Sequence, residues 1–179
     1  THPYNLIKGP DGDIYIADAG ANAIIHRKSE RNYSVLAEIP GFANPTPVGP
    51  PQVQAVPTGL IFDGHNFLIS TLTGFPFVTG KATVYKVSLT GNVSVYQPGF
   101  STLVDIADGN IYGHILLQYA TFGPMGFMPN TGALILTNGS MSTTLTSTLN
   151  MPVGLKQVNN QTWYITSMGD GTVLKATYH

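Results

Sequence analysis

The 179-residue chain is long enough for one domain with a buried core, yet only 9% of its residues are charged, against about 25% in an ordinary soluble domain. A net charge of -1 without a basic patch excludes a nucleic-acid partner, and the absence of cysteine excludes disulfides and thiol catalysis. No apolar run approaches the roughly 20 residues that span a bilayer, so we expect no membrane insertion.

Short apolar runs separated by polar turns recur along the chain with a period of about fifty residues. The runs are rich in β-branched and aromatic residues and end at Gly, Pro or Asp, which is typical of strands. The predicted first strands are Pro3–Ile7, Pro57–Ile61, Leu103–Ala107 and Pro152–Lys156. The second strands are Ile14–Ala17, Phe67–Thr71, Ile111–Gln118 and Trp163–Thr166. The third strands are Ala23–Arg27, Thr83–Val87, Ala133–Leu136 and Thr172–Ala176, and the fourth strands are Ser34–Ile39, Val93–Tyr96 and Ser142–Ser147.

Repeats of four short antiparallel strands are typical of β-propeller blades. The sequence therefore predicts an all-β propeller domain over residues 1–179, essentially without helix. The predicted blades are residues 1–40, 56–97, 102–147 and 151–179, with a Pro-rich insertion at 41–55. The last blade lacks an outer strand, so we expect the chain to be the C-terminal part of a longer protein. An unpaired edge is unfavourable, so we expect a strand from the same precursor or from another chain to fill it.

The stretch 45–87 carries the motifs PTPVGPP, VPTGL and LTGFPF followed by ATVYKV, and GFSTLVDIADGNIY follows at Gly99–Tyr112. These motifs resemble the ScyD/ScyE family of β-propellers. Two further segments, YIADAGAN at Tyr15–Asn22 and GDGTVLK at Gly169–Lys175, resemble the wider NHL-type propellers. The resemblance implies a secreted, extracellular propeller of six or seven blades, some of them missing here, and it brings no accepted catalytic residues. The polar turn at Asn159–Gln161 departs from the Asp-Gly turn that is usual in the family.

The loops differ between the two ends of the predicted strands. Neighbouring strands run antiparallel, so turns after first and third strands lie on one face, the short-turn face, and connections after second and fourth strands lie on the other, the long-loop face. The long connections are Pro40–Val56, Leu72–Gly80 and Ala120–Gly132. Their candidate ligand-binding side chains are Phe75, Phe77, Phe122 and Phe127. Two interpretations stay open: these rings pack on each other and on the Pro-rich insertion, or they form an exposed contact surface.

First strands begin at the long-loop face, so Asn5, Thr58 and Asp105 are expected at the mouth of the axial channel, with Asp18 nearby. These four residues are the other candidate ligand-binding residues. Asp105 lies among apolar residues, and a carboxylate there needs a partner. Either it makes a hydrogen bond between blades, or it binds Ca²⁺ together with Asn5, since calcium prefers oxygen ligands. Calcium is the only cofactor that the sequence suggests.

Four Asn-x-Ser/Thr sequons lie in predicted short turns. Their asparagines are Asn32, Asn92, Asn138 and Asn160. Asparagine is also common in tight turns because it tolerates positive φ. In a secreted protein these positions predict N-glycosylation confined to the short-turn face.

Motifs of common enzyme classes are absent from the sequence. It has no Gly-x-Ser-x-Gly elbow, phosphate loop or dinucleotide fingerprint, and it has only two glutamates, Glu30 and Glu38. We therefore expect a secreted, non-catalytic propeller that binds a glycan, a matrix component or a protein through the long-loop face. One alternative is a calcium-dependent hydrolase or lyase at the channel mouth, similar to lactonases or strictosidine-synthase-like proteins. Another is a structural subunit of a cell-surface assembly.

Overall fold

The computed structural model describes residues 1–109 and 112–178. Blade 1 contains β1 (Pro3–Lys8), β2 (Ile14–Asp18), β3 (Ala23–Ser29) and β4 (Asn32–Glu38). A ribbon of β5 (Phe42–Ala43) and β6 (Gln52–Val53) follows. Blade 2 contains β7 (Pro57–Phe62), β8 (Asn66–Thr71), β9 (Ala82–Ser88) and β10 (Val93–Phe100).

Blade 3 begins with β11 (Leu103–Asp108) and β12 (His114–Gln118) and continues through a ribbon of β13 (Phe122–Gly123) and β14 (Gly126–Phe127). It ends with β15 (Gly132–Thr137) and β16 (Ser142–Leu149). Blade 4 contains β17 (Pro152–Asn159), β18 (Thr162–Ser167) and β19 (Thr172–Thr177). The predicted start of the second strand of blade 3, Ile111, lies outside the described residues.

The predicted all-β fold is confirmed: four antiparallel sheets are arranged as the blades of a β-propeller, and the last one has three strands. In the described part of the chain, no helix is long and apolar enough to cross a membrane. The two ribbons inside the long connections were not predicted. Each is a pair of two-residue strands, which is too short for an alternating pattern to show in the sequence.

We call the two faces of each sheet by chain order. The leading face is the one that packs on the preceding blade in blades 2, 3 and 4, and the trailing face is the opposite one. Successive side chains of a strand alternate between these faces. The trailing face of blade 1 contributes Tyr15, whose ring lies 4.3 Å from the ring of Phe67 on the leading face of blade 2. Between blades 3 and 4, buried Leu117 and Trp163 belong to one apolar cluster. The core therefore consists of layers between blades, with β1 packed on β7, β7 on β11 and β11 on β17.

Blades 2 and 3 approach closely where a glycine removes the side chain. A Cβ built on Gly59 would lie 2.5 Å from the backbone nitrogen of Ile106 and 2.7 Å from the Cα of Asp105. Real Cβ atoms do not come this close to backbone atoms. The missing side chain of Gly59 thus allows β7 to lie directly against β11 at the level of Asp105.

Candidate functional site

Three of the four inner strands bring equivalent residues together at the centre of the long-loop face. The second residues of the predicted first strands are Tyr4, Thr58, Val104 and Val153. Three of these, Tyr4, Val104 and Val153, line one hollow of about 230 Å³. The strand repeat therefore builds a depression where the inner strands begin.

This depression, the mouth hollow, is almost entirely apolar. Its remaining lining comes from loops and strand ends: Leu72, Phe77, Tyr119, Phe127 and Met168. Tyr4 is 45% exposed and Met168 is 58% exposed, so these two side chains form an accessible part of its wall. A concave apolar surface with few polar groups is the usual form of a ligand pocket.

An aromatic cluster forms one side of the mouth hollow. The ring of Phe77 lies 4.9 Å from the rings of both Phe122 and Phe127, and Phe75 contacts Phe77 edge-on at 6.2 Å. Tyr119 meets Phe127 edge-on at 5.0 Å. Tilted and edge-on arrangements are the favourable ones for aromatic pairs. The four predicted phenylalanines thus come together as one group.

The Pro-rich insertion supports this cluster from behind. The backbone nitrogens of Thr73 and Gly74 donate hydrogen bonds of 2.9 Å to the carbonyl oxygens of Ala55 and Gln54. A Cβ built on Gly49 would lie 3.2 Å from the ring of Phe75. Phe75 nevertheless stays 46% exposed. The structure therefore combines the two interpretations, since the rings pack on one another and on the insertion while part of their surface remains open.

Below the mouth hollow the inner strands enclose an axial channel of about 360 Å³. It is lined by Asn5, Leu6, Ile7, Leu60, Ile61, Asp105, Ile106, Ala107, Asp108, Leu155, Lys156 and Gln157. Asp105 Oδ1 accepts hydrogen bonds from the Ile106 nitrogen at 2.9 Å and from Asn5 Nδ2 at 3.4 Å. Asp105 Oδ2 accepts one from the Leu155 nitrogen at 2.8 Å. The Asp105 carboxylate therefore links blade 3 to blades 1 and 4.

Burial of Asp105 raises the pKa of its carboxyl to about 6, although the hydrogen bonds from Leu155 and Ile106 and the charge of Lys156 act in the opposite direction. Partial burial raises the pKa of the Tyr4 hydroxyl, and the charge of Asp105 adds to this. Asp105 directly follows Val104, which lines the mouth hollow, so the acid lies close to it. The site therefore consists of an apolar hollow with a proton-binding group beneath it.

The donors around Asp105 are not those that calcium requires. Calcium takes six to eight oxygen ligands, whereas both Asp105 oxygens already accept N–H groups. In the described residues no group of three acidic or histidine side chains forms around Asp105. Calcium at Asp105 and Asn5 stays a prediction, and this arrangement does not fit it.

The other two predicted channel residues have contacts of their own. Thr58 is fully buried, and its hydroxyl donates to the Leu103 carbonyl oxygen at 3.0 Å. Asp18 is also buried and accepts hydrogen bonds from the nitrogens of His2 and Ala21 at 2.7 and 3.0 Å. Burial raises the pKa of the Asp18 carboxyl, but these backbone donors outweigh it and leave the pKa below its usual value. Neither residue lines the mouth hollow.

All four sequon asparagines are exposed and lie in or beside turns that join first to second or third to fourth strands. They are Asn32, Asn92, Asn138 and Asn160. Their accessibility is compatible with N-glycosylation, which stays a prediction.

Asp11, Asp13 and His26 form a separate polar cluster in blade 1. His26 Nε2 lies 2.8 Å from Asp13 Oδ2 and 3.5 Å from Asp11 Oδ2, and its ring stacks on Tyr15 at 4.4 Å. The Tyr15 hydroxyl donates to Asp11 Oδ2 at 2.7 Å. This hydrogen bond is the main reason that the pKa of the Asp11 carboxyl lies below its usual value. The mutual contacts account for the cluster as a link between strands β2 and β3 and the turn that joins β1 to β2.

A larger groove, of about 470 Å³, runs along β19 between blades 3 and 4. Its apolar walls include Leu145, Leu149, Leu174 and Tyr178. It occupies the place that a fourth strand fills in the other three blades. We therefore attribute this groove to the three-stranded form of blade 4.

Sequence reasoning missed Tyr4, Tyr119 and Met168. The signal for Tyr4 was the strand repeat, because it shares its position with Val104 and Val153. Met168 follows a second strand and so belongs to the long-loop face. Tyr119 directly follows β12, which is also a second strand, so the same position was its signal.

Comparison with known proteins rests on structure, because no protein-family model and no curated protein matches the sequence. A gluconolactonase from Xanthomonas campestris superposes over 100% of this chain and 59% of its own, with a TM-score of 0.72 and 11% identity. The chain has a β-propeller fold. The virginiamycin B lyase from Staphylococcus aureus, solved as an inactive variant with quinupristin, covers 99% of this propeller with a TM-score of 0.63 and 14% identity. A streptogramin B lyase covers 96% with a TM-score of 0.57 and 15% identity. The propeller spans between 52% and 59% of the length of these three chains.

Proposed function

We propose that this chain belongs to a secreted, non-catalytic propeller of the ScyD/ScyE type that binds a partner protein through an apolar side chain seated in the mouth hollow. The observation that carries the proposal is the hollow itself, which is walled by Tyr4, Phe77, Tyr119, Phe127 and Met168 at the centre of the long-loop face. Binding energy in protein interfaces concentrates on a few buried aromatic and apolar contacts.

The lining favours a protein side chain over a glycan. A sugar entering the mouth hollow would bring hydroxyl groups, and the tyrosine hydroxyls are the only side-chain polar groups among the residues that line it. Burying a hydroxyl without a hydrogen bond costs roughly 1–3 kcal/mol. An aliphatic or phenylalanine side chain has no hydroxyl to bury, and a tyrosine side chain has a single one, at the tip of its ring. The low proportion of charged residues, 9% of the chain, also suits a dense contact.

Saturation-transfer NMR with two small probes tests this preference. The probes are p-cresol, which represents a tyrosine side chain, and methyl α-glucoside. We expect transfer to p-cresol and none to the glucoside. In Met168→Glu, a charge on the wall of the hollow should abolish transfer to p-cresol.

Met125→Glu is the matched control, because Met125 is 98% exposed on a long connection and does not line the hollow. It should leave the p-cresol signal unchanged. Transfer to the glucoside alone, or equal loss in both variants, would refute binding of an apolar group in the mouth hollow.

A second candidate function is a hydrolase or lyase in which Asp105 transfers a proton. The observation in its favour is the pKa of about 6 for the Asp105 carboxyl, since a group titrating near neutral pH can both donate and accept a proton. Propellers of similar structure are described as a gluconolactonase and as a lyase for virginiamycin B. The three N–H groups that hold the Asp105 carboxylate argue against this role, because they already occupy three of its roughly four acceptor positions.

Hydrolysis of gluconolactone distinguishes the second candidate. If Asp105 acts as an acid or base, activity should be present and should fall by 10²–10⁴ in Asp105→Asn. The control is Asp63→Asn, which changes an exposed aspartate in the turn between β7 and β8 that does not line the channel, and it should retain the activity. If the protein hydrolyses gluconolactone no faster than the uncatalysed rate, this second candidate is excluded for lactone substrates.

A further inference from the structure

Half of the residues that line the mouth hollow are aromatic, and they come from three blades. They are Tyr4 on β1, Phe77 in the connection between β8 and β9, Tyr119 directly after β12, and Phe127 on β14. The planes of the Phe77 and Phe127 rings are inclined by 54°, and those of the Tyr119 and Phe127 rings by 79°. Rings at such angles enclose a space as the walls of a cage do, whereas stacked rings would fill it.

The electrostatic character of the mouth hollow favours a positively charged occupant. The face of an aromatic ring carries negative potential and attracts cations. The Asp105 carboxylate lies close to the hollow, because Asp105 directly follows Val104. No lysine, arginine or histidine is among the described residues that line the hollow, and Lys156 lines the axial channel instead. An anionic group is therefore disfavoured in the hollow, and a cation is favoured.

Hydrogen-bonding capacity decides which cation fits the mouth hollow. A lysine ammonium group has three N–H donors and an arginine side chain has five. The side chains that line the hollow offer only the two tyrosine hydroxyls and the weakly accepting Met168 sulfur, and Asp105 already accepts three N–H groups. An ammonium group buried here would leave donors without partners, which is unfavourable. A trimethylammonium group has no N–H donor, so it keeps its charge without needing an acceptor.

We propose that the side chain that the partner protein seats in the mouth hollow is a trimethylated lysine, with its trimethylammonium group among the four rings. This inference rests on the function proposed above, because it uses the same hollow and names the chemistry of the same partner. The alkyl stem and the three methyl groups of such a side chain are apolar and match the apolar lining. A hollow of about 230 Å³ suits one small group, since pockets for drug-sized ligands measure roughly 300–1,000 Å³. Cation–π attraction, by which aromatic cages bind quaternary ammonium groups, adds to the burial of these apolar groups.

Titrations followed by NMR test the proposal with three small probes. They are the N-acetyl amides of trimethyllysine, of its neutral analogue in which carbon replaces the ammonium nitrogen, and of lysine. The neutral analogue has the same shape without the charge, so its comparison with trimethyllysine isolates the cation–π contribution. We expect trimethyllysine to bind about tenfold more tightly than the neutral analogue, and unmodified lysine to bind more weakly than either.

A variant that removes one ring while keeping an apolar wall gives a second readout. Tyr4 is 45% exposed, so Tyr4→Leu should fold normally and retain most of the affinity for the neutral analogue. We expect the preference for trimethyllysine over the neutral analogue to fall by about threefold or more in this variant. Tyr33→Leu is the control, because Tyr33 is 54% exposed on β4 and does not line the hollow. It should leave the preference unchanged, and an equal loss of preference in the two variants would contradict the cage.

Equal affinities of trimethyllysine and the neutral analogue would overturn the inference, and so would equal affinities of trimethyllysine and lysine. If p-cresol still binds in either case, binding of an apolar group in the mouth hollow stands. Failure of every probe, p-cresol included, would refute the proposed function and this inference with it. Choline carries the same trimethylammonium group on a free small molecule. If choline binds more tightly than trimethyllysine, the hollow serves a small molecule, and the assignment to a protein side chain is overturned.

Discussion

Asp105 makes the centre of the molecule sensitive to pH. Its carboxyl has a pKa of about 6, above the ordinary value of 3.8, and burial is the main cause. The folded protein therefore binds this proton more tightly than the unfolded chain does. As pH rises through the interval between these two values, the contribution of Asp105 to folding stability falls.

The variant Asp105→Asn removes this titration. We expect the free energy of unfolding of the unsubstituted protein to fall relative to that of Asp105→Asn between pH 4 and pH 7, by up to roughly 3 kcal/mol, since one pKa unit corresponds to about 1.4 kcal/mol. Urea unfolding at both pH values measures the difference. Asp108→Asn, which removes an exposed carboxylate from the same strand and keeps Asp105, is the control. If the free energies of unfolding of Asp105→Asn and of the parent differ by the same amount at both pH values, the pKa of the Asp105 carboxyl in the folded protein is not raised.

The side chains of the aromatic cluster contribute unequally to folding stability. Phe77 contacts three other rings and is half-buried, whereas Phe75 is 46% exposed. Full removal of a buried phenylalanine costs about 3–5 kcal/mol. We predict that Phe77→Ser lowers the free energy of unfolding by roughly 2 kcal/mol and that Phe75→Ser lowers it by less than half as much. Chemical denaturation of both variants tests this order, and an equal loss in the two would show that the cluster does not pack around Phe77.

At the scale of elements, the strands were predictable because their alternation and their turns repeat. The convergence of Phe75, Phe77, Phe122 and Phe127 also followed from the rule that places long connections on one face. The ribbons β5–β6 and β13–β14 could not be predicted from the sequence, since such short strands depend on loop contacts. The mouth hollow was missed because it forms where β1, β11 and β17 meet, and no single stretch of sequence contains that contact.

Equivalent glycines in two blades allow a test of strand packing. Gly59 and Gly154 occupy the same position of the inner strand, but a Cβ on Gly154 would meet only the Thr166 hydroxyl, at 2.8 Å. That side chain can move, whereas the backbone beside Gly59 cannot. We expect Gly59→Ala to lower the free energy of unfolding by roughly 1–3 kcal/mol, the usual effect of overpacking, and Gly154→Ala to change it by less than about 1 kcal/mol. Thermal and urea unfolding measure both, and a reversed order would contradict the close contact between β7 and β11.

At the scale of the whole molecule, the blades form a series with two unequal ends. The leading face of blade 1 is apolar in its inner part, and among the described residues no strand pairs with the outer edge of β19. The mouth hollow combines residues from three blades, namely Tyr4, Val104 and Val153 among others. Its shape therefore depends on how the blades are held together, which links the architecture to the proposed binding.

The edge of β19 gives a prediction of its own. We predict that a strand from outside residues 1–179 pairs with β19 in the natural protein, since the apolar groove beside it matches the place of a fourth strand. Hydrogen exchange should then protect the amides of β19 as strongly as those of β15. Fast exchange along β19 beside slow exchange along β15 would mean that this edge stays open.

The central claim, that the mouth hollow receives an apolar side chain, is tested most directly by NMR of ¹³C-methyl methionine. The five methionines report separately, and Met168 is the one that lines the hollow. We predict that titration with p-cresol shifts the Met168 methyl signal progressively, while the signals of Met125 and Met141 remain in place. If the Met168 methyl signal does not move at millimolar p-cresol, or if all three signals shift equally, the claim is contradicted.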